Sequence, residues 1–153
     1  MDTTSAIVVS IIAAATPLLF AALGELVTEK SGVLNLGVEG MMLLGAVASF
    51  VTAIATGSFA FAIVVGVLAG ILMSLVFAVL TLSLLANQVA TGLALTIFGV
   101  GLSALLGQSY VGVPLEALPK LSVSGISDIP LVGPIVFGQD FLVYLSIAMV
   151  FAV

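Results

Sequence analysis

The sequence predicts an all-α membrane protein: a polytopic bundle of four full transmembrane helices followed by the start of a fifth. Of its 153 residues, 63% are apolar and only 6% are charged, and the mean hydropathy is +1.50. An ordinary soluble domain has about a quarter charged residues. Four apolar stretches are each long enough to cross a bilayer core of about 30 Å. The alternating pattern of a membrane barrel is absent, so we expect helices.

The four stretches follow one another along the chain. They cover residues 6–23, 33–55, 59–85 and 89–107, and short turns at residues 31–32 and 56–58 separate the first three. The first stretch lacks both the basic flank and the cleavage site of a signal peptide. We therefore expect it to be retained as a span.

The region after the fourth stretch differs from the rest of the chain. Residues 108–140 contain four of the five prolines and many apolar side chains, which predicts a segment that lies against the bundle or the membrane surface. The apolar run from Phe141 stops at Val153, after about a dozen residues, whereas a span needs about 20. We expect residues 1–153 to be the N-terminal portion of a single transmembrane domain, truncated within its fifth span.

Charge and composition exclude several functions. The sequence contains seven carboxylates, two lysines and no arginine, which gives a net charge of −5. This charge is incompatible with a nucleic-acid-binding surface. Cysteine and histidine are absent, so we expect no disulfide, no thiolate or imidazole catalysis, no metal site and no cofactor. Lys30 and Lys120 would lie on opposite sides of the membrane, so the basic residues do not fix the orientation.

The third stretch carries small residues at every fourth position. They are Ala62, Gly66, Gly70, Ser74 and Ala78. This spacing places them along one helix face and includes a GxxxG motif, which is typical of closely packed membrane helices. We interpret the face as a helix-packing surface. A looser face of the same kind follows in the fourth stretch, at Gly92, Thr96, Gly99, Ser103 and Gly107.

Polar residues at the start of the second stretch are the most informative. Asn35 and Glu39, with Gly37 and Gly40, fall within a stretch that must extend to about 20 residues to cross the bilayer. A carboxylate within the membrane costs about 2.5 to 3.5 kcal/mol unless a partner, water or a proton compensates it. Glu39 could therefore face a solute path, or it could stabilise the N-terminus of a broken helix. The sequence leaves both interpretations open.

Two further pairs of polar residues lie near the ends of the apolar stretches. Asn87 and Gln88 mark the junction of the third and fourth stretches, where amides could bind a polar solute or cap the turn, and capping is the favoured interpretation. Glu25 and Glu29 lie one turn apart at the end of the first stretch, and we expect them to be solvated. The chain contains no phosphate-binding GxxxxGK[ST] loop.

Residues 16–42 and 87–95 carry a family resemblance. The first includes Gly-Val-Leu-Asn-Leu-Gly-Val-Glu-Gly at residues 32–40, and the second reads Asn-Gln-Val-Ala-Thr-Gly-Leu-Ala-Leu. They resemble permease subunits of bacterial ABC importers in the branched-chain amino acid, ribose and nucleoside group, most closely the smaller nucleoside or simple-sugar permease. The resemblance covers essentially the whole chain.

The resemblance implies a multi-pass subunit of the bacterial plasma (inner) membrane that forms the path for a nucleoside or simple sugar. It implies a second permease subunit, ATP-binding subunits that hydrolyse ATP in place of this chain, and an extracytoplasmic solute-binding lipoprotein. The loop that couples to the ATPase would lie outside these residues. The first inter-span turn would be cytoplasmic, and residues 108–140 would be extracytoplasmic. The implied pathway candidates are Asn35, Glu39, Asn87 and Gln88.

The sequence is also compatible with other functions. An ion-gradient-driven secondary transporter or channel would use Glu39 to carry a proton or cation. A membrane scaffold would explain the small-residue faces but not Asn35 and Glu39. An intramembrane enzyme is disfavoured, because we find no nucleophile and base pair.

Overall fold

The computed structural model describes residues 3–119 and 137–153. The helices within these ranges confirm the all-α class: α1 (Thr3–Lys30), α2 (Val38–Thr56), α3 (Phe59–Ala78), α4 (Gln88–Gly107) and α5 (Phe141–Ala152). A π-helix at Val79–Ser83 continues α3, and a 3-10 turn at Gln108–Tyr110 continues α4. Lys120 and most of the proline-containing segment lie outside the described residues.

Four of the helices are long and apolar enough to cross a membrane. With their continuations they contain 28, 19, 25 and 23 residues. At about 1.5 Å per residue, the shortest of these, α2, still spans close to 30 Å. α5 begins at Phe141, where the sequence predicted a fifth apolar helix.

Local sequence signals explain where the helices begin. Three of them start at a side chain that accepts a hydrogen bond from a backbone N–H three residues later: Ser58 for α3, Asn87 for α4 and Asp140 for α5. Such caps satisfy one of the unpaired donors of a helix N-terminus. The cap expected at Asn87 is therefore present.

α1 ends in a Schellman motif. The N–H of Val33 donates to the carbonyl of Thr28 at 3.1 Å, and the N–H of Gly32 donates to that of Glu29 at 2.9 Å. Gly32 has a φ of +79°, a conformation that glycine adopts without steric strain. This motif stops the helix at the predicted turn.

The chain divides into two compact units, which we describe separately. The first comprises residues 1–27 and 117–153. Within it, the hydroxyl of Thr16 donates to the carbonyl of Ile12, and that of Ser146 donates to the carbonyl of Val143. Both side chains are buried, and bonding within their own helix satisfies their hydroxyl groups in apolar surroundings.

The second unit, Thr28–Glu116, contains α2, α3 and α4. α2 lies between the other two helices and contacts both, while α3 and α4 touch each other sparsely. Because the connections are short, consecutive helices run antiparallel. The starts of α2 and α4 therefore lie at the same end as the end of α3. A cluster of Met73, Phe77 and Leu95 is buried near this end.

Glycines set the close approach of α2 to its neighbours. A Cβ on Gly45 would lie 3.2 Å from the carbonyl oxygen of Gly66 in α3. A Cβ on Gly99 in α4 would lie 2.5 Å from the Cα of Gly40. Any side chain at these positions would push the helix backbones apart.

The small-residue face predicted on α3 meets α2 over only part of its length. Ala62 is buried and Gly66 touches Ser49, but Gly70 has open space around it and Ser74 is exposed. In a helix of 3.6 residues per turn, residues four apart point in directions that differ by about 40°. The row of small residues therefore turns gradually away from α2. The buried positions continue instead at Met73 and Phe77. A packing role for Gly70, Ser74 and the partly buried Ala78 stays a prediction.

The second predicted span begins later than expected. Helix α2 starts at Val38, and residues 33–37 are not helical. The predicted break is therefore located before Gly37, which forms the N-cap of α2 with φ −88° and ψ 0°. The reason for the break lies in contacts with α4.

Candidate functional site

The four pathway candidates lie at one end of the second unit. Asn35 and Glu39 flank the start of α2, and Asn87 and Gln88 form the start of α4. The antiparallel order of α2, α3 and α4 brings these two distant parts of the sequence to the same end. The structure therefore places all four candidates there, in different environments.

Residues 33–37, which we call the 33–37 segment, lie against α4. The backbone N–H of Leu34 donates to the Oε1 of Gln88 at 2.8 Å. The hydroxyl of Thr96 donates to the carbonyl oxygen of Leu36, also at 2.8 Å. Side chains of α4 thus replace the backbone partners that a helix would have supplied.

Gln88, Gly92 and Thr96 form a cradle on α4. Consecutive members of this set are four residues apart in the sequence, so all three lie on one helix face. Gly92 lies between the two hydrogen-bonding side chains, and a Cβ there would be 2.8 Å from the backbone nitrogen of Leu36. The missing side chain allows the 33–37 segment to approach the helix. We refer to these three residues as the α4 cradle.

Asn35 is buried within this packing, with 7% of its surface exposed. Its Oδ1 accepts a hydrogen bond of 3.0 Å from the N–H of Gly37, and its Nδ2 approaches the Sδ of Met41 at 3.7 Å. An asparagine that bonds the backbone two residues later forms a turn. Asn35 therefore shapes the start of α2.

Glu39 lies in the first turn of α2, and its side chain is exposed. Its neighbour Gly40 makes the close contact with α4, where a Cβ would be 2.5 Å from the carbonyl oxygen of Leu95. A carboxylate in the first helical turn interacts favourably with the helix dipole. The position thus fits a helix-stabilising role, and the exposure fits a role in a solute path.

Asn87 and Gln88 serve different contacts. The Oδ1 of Asn87 accepts from the N–H of Ala90 at 3.0 Å and caps α4. Gln88 is the first residue of α4 and belongs to the cradle. Sequence reasoning could not find the contact of Gln88, because its partner lies 54 residues away.

A shallow groove of about 450 Å³ runs along α4 beside Asn87. Thr91 contributes a second polar side chain, one turn further on, and Ala94 and Phe98 continue the lining. The groove therefore has a polar end and an apolar floor. Thr91 was not among the sequence candidates, although it follows Asn87 at helical spacing.

The turn that leads into Asn87 is unusual. The N–H of Leu84 donates to the carbonyl of Val79 at 3.0 Å, which is a π-helical bond. Leu85 then adopts a φ of +53°, a left-handed conformation that residues with a Cβ rarely take. A leucine gives no sequence signal for such a turn.

Among the described residues, no group of three or more His, Cys, Asp or Glu side chains could hold a metal ion. The four pathway candidates and Thr91 carry amides, one hydroxyl and one carboxylate. Their chemistry is that of hydrogen bonding.

Comparison with known proteins identifies the family. Residues 7–153 match the family described as the permease component of branched-chain amino acid transport systems. The chain belongs to this permease family. The family expected from the sequence resemblance is thus confirmed, and the permease chain is a multi-pass membrane protein.

Three relatives of the permease chain are ABC transporter permeases. It is 38% identical to the putative glucose ABC transporter permease protein TsgC13 of Haloferax volcanii, over 90% of this chain and 44% of that protein. It is 30% identical to the guanosine ABC transporter permease protein NupQ of Bacillus subtilis, over 96% and 50% respectively. It is 31% identical to the nucleoside ABC transporter permease protein NupC of Lactococcus lactis, over 93% and 48%.

The permease chain spans about half the length of these relatives. No solved structure matches it.

Proposed function

We propose that the permease chain forms part of the membrane path of an ATP-driven importer for a nucleoside or a simple sugar. In this proposal it is the N-terminal portion of a permease domain in a bacterial plasma membrane. It acts with a second permease subunit, ATP-binding subunits that hydrolyse ATP, and an extracytoplasmic solute-binding lipoprotein. The chain itself performs no covalent chemistry.

The observation that carries the proposal is the 33–37 segment. Non-helical backbone next to a membrane span is tolerated where it is buried in protein or faces water. Here one side of the segment is bonded to α4, while Leu34 and Leu36 remain exposed on the other. An exposed carboxylate, Glu39, follows directly. A cavity beside this end of the unit accounts for both features.

The names of the relatives support the solute class. Glucose, guanosine and nucleosides are uncharged and carry several hydroxyl groups. Such solutes need hydrogen-bonding partners without a matching charge. Asn87 and Thr91 supply an amide and a hydroxyl at the end of the unit, and the apolar floor of the groove suits one face of a sugar ring or base.

Transport in this proposal is a conformational process. ATP binding to the partner subunits biases the inward and outward states, and the solute passes between the two permeases. Glu39 and Asn87 are the candidates for direct solute contact, because their side chains are exposed. Asn35 and Gln88 act on the path through the backbone that they hold.

Competition for uptake tests the solute class. The complete importer would be reconstituted with its binding protein, and uptake of radiolabelled guanosine and glucose would be measured with excess unlabelled guanosine, glucose or leucine. We expect guanosine or glucose, and not leucine, to compete. Strong competition by leucine alone would favour a branched-chain amino acid as the solute and would contradict the proposal.

A further inference from the structure

The 33–37 segment is bonded in two directions. Internal bonds tie it to α2: the Oδ1 of Asn35 accepts from the N–H of Gly37, and the carbonyl of Gly37 accepts from the N–H of Met41 at 3.1 Å. Bonds from the α4 cradle tie it to the neighbouring helix at Leu34 and Leu36. The segment therefore leads directly into α2, and the side chains of Gln88 and Thr96 fasten it to α4.

The two fastening bonds have opposite polarity. Gln88 must accept a hydrogen bond from an N–H, and Thr96 must donate one to a carbonyl oxygen. Loss of either side chain would leave a backbone polar group of the segment without this partner, which is unfavourable. Each role can be tested by a substitution that preserves the polarity.

The register of the segment on α4 is also constrained sterically. Leu36 approaches α4 at Gly92, and Gly40 approaches it at Gly99. A shift along α4 would move Leu36 away from Gly92 and Gly40 away from Gly99, onto positions where α4 has side chains. Hydrogen bonds and glycine gaps therefore specify the same position.

We propose, on the basis of the function proposed above, that Gln88 and Thr96 are positioning residues of the transport path. They hold the 33–37 segment in one register on α4, and this register sets where the carboxylate of Glu39 stands. Neither residue needs to touch the solute. Their contribution to transport passes through the backbone of Leu34 and Leu36.

The chain offers a clean reporter for this proposal, because it contains no cysteine. Val33 is partly buried and packs against the cluster of Met73, Phe77 and Leu95. A Val33→Cys substitution introduces a small apolar side chain of similar behaviour. Its reaction with a maleimide in native membranes would report release of the segment without requiring any solute.

The test uses the complete importer with any cysteine outside this chain removed. Gln88→Leu and Thr96→Val remove the fastening groups, whereas Gln88→Glu keeps an acceptor and Thr96→Ser keeps a donor. Gln108→Leu and Thr56→Val serve as matched controls. Gln108 is exposed in the 3-10 turn, and the hydroxyl of Thr56 bonds to the nearby backbone of Thr52 and Ser58, away from the 33–37 segment. Labelling rate and concentration-dependent solute uptake are measured for each variant.

We expect Gln88→Leu and Thr96→Val each to raise the labelling rate of Val33→Cys by about tenfold. Both should raise the solute concentration for half-maximal uptake several-fold. Gln88→Glu and Thr96→Ser should keep labelling and uptake within about twofold of the parent, as should both controls. Unchanged labelling in Gln88→Leu and Thr96→Val would overturn the proposal, and so would raised labelling with unchanged uptake.

The two proposals fail in different ways. If the parent importer carries neither nucleoside nor sugar, the proposed function fails, while the labelling pattern still supports the cradle as the structure that holds the segment. If the parent transports its solute and the labelling rate of Val33→Cys is the same with and without the Gln88 and Thr96 substitutions, the positioning role fails and the proposed function stands.

Discussion

The hydroxyl of Thr96 donates a 2.8 Å hydrogen bond to the carbonyl oxygen of Leu36, which lies 60 residues earlier in the chain. Through this bond, the middle of α4 determines where α2 begins. Gln88 makes the companion bond to Leu34. The start of one membrane helix is therefore specified by the side chains of another, and several consequences can be measured.

Gly99→Ala should destabilise the permease. The added Cβ would lie 2.5 Å from both the Cα and the carbonyl oxygen of Gly40, so two helix backbones must separate. We expect a loss of about 1 to 3 kcal/mol, as for other overpacked cores. Thermal unfolding of the purified permease in detergent, followed by light scattering, would measure it.

Gly101→Ala is the matched control in the same helix. A Cβ there meets nothing within 4 Å, and alanine favours a helix over glycine by about 0.5 to 1 kcal/mol. Its unfolding temperature should stay the same or rise. Equal effects of the two substitutions would contradict the close contact of α2 and α4.

Leu85→Gly should stabilise the turn between α3 and α4. Leu85 adopts a φ of +53° and is 83% exposed, so its side chain gives little packing in return for the strain. Removing the Cβ should relieve about 1 to 2 kcal/mol. The unfolding temperature of Leu85→Gly would be compared with that of Leu84→Gly.

Leu84 is a suitable comparison because its φ of −93° is ordinary for a residue with a Cβ. Glycine at this position should lower stability by about 0.5 to 1 kcal/mol. A loss of stability in both variants would show that the left-handed turn at Leu85 is absent.

Substitutions of Asn87 separate capping from solute contact. Asn87→Ala removes the acceptor for the N–H of Ala90 and should lower stability by about 1 kcal/mol. Asn87→Ser retains a capping oxygen and should fold as well as the parent, yet it lacks the amide nitrogen. We expect Asn87→Ser to reduce solute uptake several-fold without changing the unfolding temperature. Full uptake by Asn87→Ser would restrict Asn87 to the cap.

Glu39→Gln tests the two interpretations of the carboxylate. A charge in the first turn of α2 stabilises the helix by about 0.3 to 1 kcal/mol, so its removal should change stability little. If Glu39 lines the path, uptake should fall several-fold. Glu116 is another exposed carboxylate, beyond α4, so Glu116→Gln provides the control and should transport normally. Normal uptake by both variants would assign Glu39 to the helix start alone.

The helices were predictable because hydropathy and capping act locally. The apolar stretches reappear as four helices of spanning length, and Ser58, Asn87 and Asp140 begin helices as their side chains favour. The ends of α1 and α2 likewise fall at Gly32 and Gly57, both with positive φ. Each of these signals is contained within a few residues.

The 33–37 segment was only partly predictable. Gly37 and Gly40 indicated a break, but Val33, Leu34 and Leu36 are as apolar as the helix that follows. What makes the segment stable outside a helix is the α4 cradle, more than 50 residues away in the chain. Gly92 and Thr96 were recognised as members of a packing face, whereas the bond from Thr96 to Leu36 depends on the tertiary arrangement.

The drift of the small-residue row on α3 has a similar cause. Spacing in the sequence describes one face of a helix, but which part of that face meets a neighbour depends on how the helices cross. Gly66 meets α2 at Gly45 and Ser49 and Ala62 is buried, whereas Ser74 is exposed. A repeat in the sequence therefore predicts a surface without predicting its partner.

The energy source for uptake by the complete importer distinguishes an ATP-driven path from a gradient-driven carrier. Uptake of radiolabelled guanosine and glucose would be measured in cells that carry the full-length permease and its partner subunits, with an ionophore present, and again with the ATPase subunits inactivated. We expect uptake to survive the ionophore and to stop when the ATPase is inactive. Uptake that stops with the ionophore and continues without the ATPase would contradict the ATP-driven path and would favour a gradient-driven carrier.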